Sequence, residues 1–196
     1  MLKGYRKKDY EKERDLNVAV MTRVALMAAF TAVAAQIVIP LPTVPFTLQV
    51  LAVVLTGLLL GPRYGALAMA IYLLVGAVGV PVFFGFTGGI GHILGPTGGY
   101  LVSYPLAAAI AGLAAGSAAN APRRRALVGS CLWGSVALAV IYAFGATWLS
   151  VVSDLPAAVA LAQGVLPFVP FDLVKVGLAS LVAVAVAPAI ATTSRA

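Results

Sequence analysis

Asp172 and Lys175 stand three residues apart in the stretch VPFDLVKVGLASLVAVAVAPAI, residues 169–190, in surroundings that could otherwise dissolve in lipid. An acid and a base at i and i+3 share one face of a helix. A charged side chain at the centre of a membrane span costs about 2.5–3.5 kcal/mol, less near an end, so both must face protein or a water-filled cavity. Two chemistries fit. A structural pair would place Asp172 at the positive start of a helix, with Lys175 snorkelling outward along its stem. A pair facing a ligand would offer one small polar molecule an acceptor and a donor side by side.

A second candidate is GFTGGIGHILGPTGGY, residues 85–100. Here the absent side chains of Gly88, Gly89, Gly98 and Gly99 would let backbone amides approach a ligand, and a helix opening near Tyr100 would add unpaired N–H groups. A glycine-rich hinge between two helices accounts for the same residues equally well. The stretch is not a phosphate-binding P-loop, which needs a lysine and a hydroxyl residue after its last glycine. Tyr100 and Leu101 follow Gly99 instead, so the chain carries no ATP site. His92 is the single histidine and Cys131 the single cysteine, which leaves no ligand set for a metal and no internal disulfide. Ser130 has no base on a neighbouring span, which argues against an intramembrane hydrolase. No cofactor is implied, and the chain is not read as an enzyme.

The elements that must position these residues are membrane helices. Of 196 residues, 62% are hydrophobic and 10% charged, with mean hydropathy +1.03. A soluble domain is about 25% charged. At about 20 apolar residues per crossing, the length accommodates roughly six spans. A charged extension, residues 1–15, precedes an apolar segment, 16–39, too long for the core of a cleaved signal peptide. Proline breaks the pattern in PLPTVPF, residues 40–46. Further helices are expected over about 47–60, 66–78, 100–118, 126–152 and 168–190, with a tight turn at GPRYG, residues 61–65. A short interfacial helix suits residues 153–167. The membrane domain spans 16–191 and a tail 192–196.

Charge placement tests this scheme, because lysine and arginine gather at cytoplasmic ends. With both termini cytoplasmic, Lys3, Arg6, Lys7, Lys8, Lys12, Arg14, Arg23, Arg63, Arg123, Arg124, Arg125 and Arg195 all fall inside, twelve of the thirteen bases. The three outer connections contain none. Lys175 alone breaks the rule, which makes it a poor membrane anchor and favours a ligand-facing role. The net charge of +7 is therefore a topology signal rather than a sign of nucleic-acid binding. Phe46, Phe83, Phe84, Phe86, Tyr100, Trp148, Phe168 and Phe171 gather on the outer half, as an interfacial belt or as walls for an apolar ring system. In ALMAAFTA, alanines recur every four residues, Ala25 with Ala29 and Ala28 with Ala32, a spacing that lets another helix approach closely.

VPFTLQ before the second helix, GGIGHILGPTGGYLVSYPLAA at 88–108 and FDLVK on the sixth together resemble the BioY family, biotin-binding S components of energy-coupling factor (ECF) vitamin transporters. The resemblance covers about residues 22–185, and GPTGGYL is its most specific motif. It implies an all-α integral membrane protein of the plasma membrane with the six-helix S-component fold. The vitamin site would lie near the outer surface, lidded by the first and third connections. It implies biotin as substrate, with a transmembrane coupling subunit and two cytoplasmic ATPases as partners. Asp172 and Lys175 would then hydrogen-bond the ureido ring, with Thr87, Gln49, Tyr100 and Phe171 nearby, and Ala25, Ala29 and Ala32 would meet the coupling subunit. Thr87 stands where some relatives carry asparagine, and Phe171 where many carry glycine. Two rivals are an autonomous carrier coupled to protons through Asp172 and a non-transporting membrane scaffold.

Overall fold

The computed structural model describes residues 2–39 and 44–193; residues 40–43 of the first connection and 194–196 of the expected tail lie outside the described residues. Helix α1, Leu2–Gln36, carries the charged extension and the first apolar segment as one element. Two short strands, β1 (Val38–Ile39) and β2 (Phe46–Thr47), pair antiparallel across the first connection, Val38 opposite Thr47. Leu48 N–H also donates to the Ile37 carbonyl, 3.3 Å, so the connection is tied to the end of α1.

The next two expected helices share one run of helical bonding, α2 (Gln49–Ala77), broken at Gly61 with φ 78° and ψ 178°. A straight helix would carry Gln49 and Tyr72 about 34 Å apart at 1.5 Å per residue. Their side chains instead meet at 2.7 Å. The chain thus doubles back at Gly61, and α2 is a hairpin of two arms, 49–60 and 62–77. The turn expected over residues 61–65 is concentrated in that one residue, because glycine alone adopts this φ without strain and Pro62 is preorganised for the first turn of the next arm. The arms touch through small residues: a Cβ on Gly65 would come within 3.0 Å of the Gly57 Cα.

Residues 79–89 form a turn-rich segment leading to the short α3, Ile90–Leu94. Helix α4, Gly98–Ala111, passes through one 3-10 turn (Gly112–Ala114) into α5, Ala115–Asn120. Helix α6 is Arg123–Val152, and the short α7, Ala157–Gly164, falls within residues 153–167, where a short helix was expected. Helix α8, Val169–Thr193, carries the charged pair in its first two turns. Among the described residues five helices are long and apolar enough to cross a membrane, counting the α2 hairpin as one.

Lipid tails are as apolar as leucine, so these helices associate through close packing rather than a hydrophobic drive. The interior is accordingly built on alanine and glycine. Ala107, Ala108, Ala111, Ala137, Ala179 and Ala183 are fully buried. A Cβ on Gly57 would strike the Ala108 carbonyl, and one on Gly99 the Trp148 side chain, which fixes α4 against both α2 and α6. At one end of the bundle Gly112 lies against Gly61 and Pro62, beside Arg63. The opposite end gathers β2, the 79–89 segment, α7 and the start of α8.

Candidate functional site

At that second end, α2, α4, α6 and α8 enclose a cavity roofed by residues 44–47 and 84. It holds about 560 Å³ of space free of protein atoms, part of it continuous with the exterior. Val44, Val50, Leu101, Ile141, Phe46, Phe84 and Phe168 give its wall a broad apolar surface. Into this apolar room project Asp172 and Lys175, 3% and 5% exposed.

The pair is bonded internally. Lys175 Nζ donates to Asp172 Oδ1 at 2.6 Å and to the Thr47 carbonyl, also at 2.6 Å. The same ammonium stands 3.5 Å from the centroid of the Phe46 ring, where the ring quadrupole attracts it. Tyr142 Oη on α6 donates to the other carboxylate oxygen, Oδ2, at 2.7 Å. Asp172 occupies the first turn of α8, where the helix dipole favours an anion. Both ions are therefore held by partners from three separate elements, β2, α6 and α8. Each keeps unused bonding capacity, since a carboxylate has about four acceptor positions and an ammonium three donors. The two residues form the ion pair that their spacing allowed, and both also line the cavity.

Of the other residues named from the sequence, Gln49 and Tyr100 line the cavity. Gln49 spends its side chain on the frame: its Oε1 accepts from Thr47 Oγ1 at 2.9 Å and its Nε2 donates to Tyr72 Oη. Tyr72 Oη in turn donates to the Val82 carbonyl at 3.1 Å, joining β2 to the 79–89 segment. Tyr100 contributes its ring, because its hydroxyl donates to the Gly164 carbonyl at 2.8 Å.

Thr87, Gly88, Gly89, Gly98, Gly99 and Phe171 are not on the cavity wall. Thr87 donates to the Phe84 carbonyl at 2.7 Å and shapes the turn beside the mouth. Gly88 packs on the Val80 carbonyl, Gly89 takes φ 102°, and Gly98 and Gly99 lie against α3 and Trp148. Gly88, Gly98 and Gly99 are thus closely packed, while Gly89 supplies a left-handed turn with open space beside it. Phe171 is 60% exposed, touching the site only through an edge contact with Phe46, ring centroids 5.6 Å apart. Ala25 and Ala29 are exposed on α1, while Ala32 is half-buried and Ala28 faces inward.

Tyr104, Tyr142, Thr97 and Thr47 are cavity residues that the sequence alone did not single out. Tyr104 follows Tyr100 by four residues and Thr97 by seven, a helical period that could have flagged them once Tyr100 was chosen. Tyr142 had no such signal, because its relation to Asp172 depends on how α6 is rotated against α8.

A family model described as the BioY family matches residues 8–192. The probable biotin transporter BioY of Pyrococcus horikoshii is 46% identical over 160 residues, covering 82% of this chain and 91% of its own length. The biotin transporter BioY of Thermotoga maritima is 41% identical, covering 83% and 92%. Among solved structures, the crystal structure of the S-component for biotin from an ECF-type ABC transporter aligns with a TM-score of 0.77 and 28% identity, covering 88% of this chain and 92% of that one.

Proposed function

This chain belongs to the BioY family, and from that premise we propose that it is the biotin-binding S component of an ECF-type vitamin transporter. It is a multi-pass protein of the cell membrane and not an enzyme. The observation that carries the reading is the buried Asp172–Lys175 pair opening on a cavity whose remaining walls are mostly apolar. Biotin has the matching chemistry: a compact polar ureido head fused to a thioether ring, on an apolar chain.

In this reading Asp172 accepts a ureido N–H on a free lone pair while Tyr142 holds its Oδ2. Lys175 donates to the ureido oxygen. Bonds to ionised groups are roughly twice as strong as neutral ones and are strengthened further away from water. The aromatic rings of Phe46, Phe84, Phe168 and Tyr100 cover the thioether ring and the chain. With the two arms of α2 counted separately, the protein crosses the membrane six times. Both termini and the arginines at 63 and 123–125 lie on the cytoplasmic side, and the cavity faces outside. A transmembrane coupling subunit and two ATPase subunits supply the energy, with Ala25, Ala29 and Ala32 on α1 meeting the coupling subunit.

Isothermal titration of purified protein, stripped of carried-over vitamin, tests this directly. Tight, saturable biotin binding by the parent, lost in folded Asp172→Asn and Lys175→Met variants, is the expected result. A folded, ligand-free parent that takes up no biotin would overturn the assignment.

A further inference from the structure

Four tyrosines stand in or beside the cavity, and three of their hydroxyls are committed to the protein. Tyr72 bonds Gln49 and the Val82 carbonyl, Tyr100 bonds the Gly164 carbonyl, and Tyr142 bonds Asp172. The fourth, Tyr104, is 5% exposed, lines the cavity and has no hydrogen-bond partner among the described residues. It is not sealed into the core. Among the described residues the one buried side-chain polar atom without both water access and a partner is Ser130 Oγ, so the Tyr104 hydroxyl opens onto the cavity. Its place follows from the helix: four residues beyond Tyr100, it sits about 6 Å deeper along the same face of α4.

We propose that Tyr104 is a further substrate-binding residue, whose hydroxyl donates the second hydrogen bond to the ureido oxygen of the bound vitamin. The inference rests on the biotin reading and deepens it. A ureido oxygen carries two lone pairs, and a cavity that buries it must satisfy both to avoid a desolvation penalty. Lys175 can supply one donor, since its ammonium is already shared with Asp172 Oδ1 and the Thr47 carbonyl. The other hydroxyl donors of the wall are placed differently: Thr47 is bonded to Gln49, and Thr97 is half-buried at the start of α4. Tyr104 is thus the deep, neutral donor left over, and the ureido oxygen is the acceptor left over. A neutral donor beside Lys175 also selects for a carbonyl oxygen over an isosteric group that accepts weakly.

The test is titration of the ligand-free parent and Tyr104→Phe with biotin and with 2-thiobiotin, in which sulfur replaces the ureido oxygen. The expected result is biotin binding by the parent, weakened about 5- to 20-fold in Tyr104→Phe, with a loss below about twofold for the thio analogue. Melting of the ligand-free variant should match the parent, because the hydroxyl has no protein partner to lose. Equal biotin affinity in parent and variant overturns the proposal. So does an equal loss on both ligands, or a variant that melts well below the parent. A parent that binds neither ligand overturns the biotin reading itself, and the inference falls with it.

Discussion

Tyr142 on α6 donates its hydroxyl to Asp172 Oδ2 on α8 at 2.7 Å, across 30 residues of sequence. This bond fixes the plane of the carboxylate, and the Lys175 ammonium on Oδ1 fixes the same carboxylate from its other side. Replacing Tyr142 by Phe keeps the wall but lets Asp172 turn. A loss of about 1–1.5 kcal/mol, roughly tenfold in biotin affinity, is expected by titration calorimetry. Unchanged affinity in a folded variant would show that Lys175 alone orients the acid.

The charged pair itself should reveal its two roles through a double-mutant cycle. Removing one ion leaves the other buried without its counter-charge, a change that costs about 3–5 kcal/mol. Asp172→Asn and Lys175→Met should therefore each lower the melting temperature, while the double variant recovers much of the loss without recovering biotin binding. If the double variant melts as low as the worse single, the two ions are not each other's main support.

Gly145 and Gly164 make room for Tyr100, since a Cβ on either would strike its ring or hydroxyl. In Gly145→Ala the ring must shift within a wall that also touches Gly164. A destabilisation of about 1–3 kcal/mol is expected, together with weaker biotin binding as the cavity narrows. Thermal melting with and without biotin separates the two effects. A variant that is destabilised yet binds normally would place Tyr100 outside the ligand's reach.

Gln36 at the end of α1 joins the mouth segment to that helix. Its Nε2 donates to the Phe83 carbonyl at 3.0 Å and its Oε1 accepts from Phe86 N–H at 2.8 Å. Phe86 has φ 56°, which is costly for an aromatic residue, so the clasp holds a strained turn. Gln36→Ala should raise hydrogen exchange over residues 83–87 by about tenfold, as local opening becomes easier. Phe83 N–H also donates to the Thr87 carbonyl at 2.9 Å, and exchange equal to the parent would mean that this bond holds the turn without the clasp.

Ala29 is exposed on α1, and a leucine there would thicken the face expected to meet a coupling subunit. Ala29→Leu should leave biotin affinity within about twofold while reducing co-purification with the coupling and ATPase subunits and ATP-driven uptake in liposomes. Normal assembly of the variant would move that interface elsewhere. Uptake driven by a pH gradient in liposomes containing this protein alone would instead favour the autonomous carrier.

Membrane character, the positions where the chain turns, and the shared face of Asp172 and Lys175 were all legible in the sequence. These depend on local quantities: the length of an apolar run, the backbone freedom of Gly61, the i, i+3 geometry of a helix. It also anticipated that phenylalanines would gather at one end, because charge asymmetry orients every span. It took helix packing to bring Tyr142 to Asp172 and the Thr47 carbonyl to Lys175, and to leave Tyr104 with an uncommitted hydroxyl. Those relations depend on the rotation and depth of each helix against the next, which are set where Gly57 meets Ala108 and Gly99 meets Trp148. In a chain so rich in glycine and alanine, many such close approaches look equivalent along the sequence. The contacts of Gly88 with Val80, of Gly98 with Ile93 and of Gly99 with Trp148 therefore had no signal in the sequence.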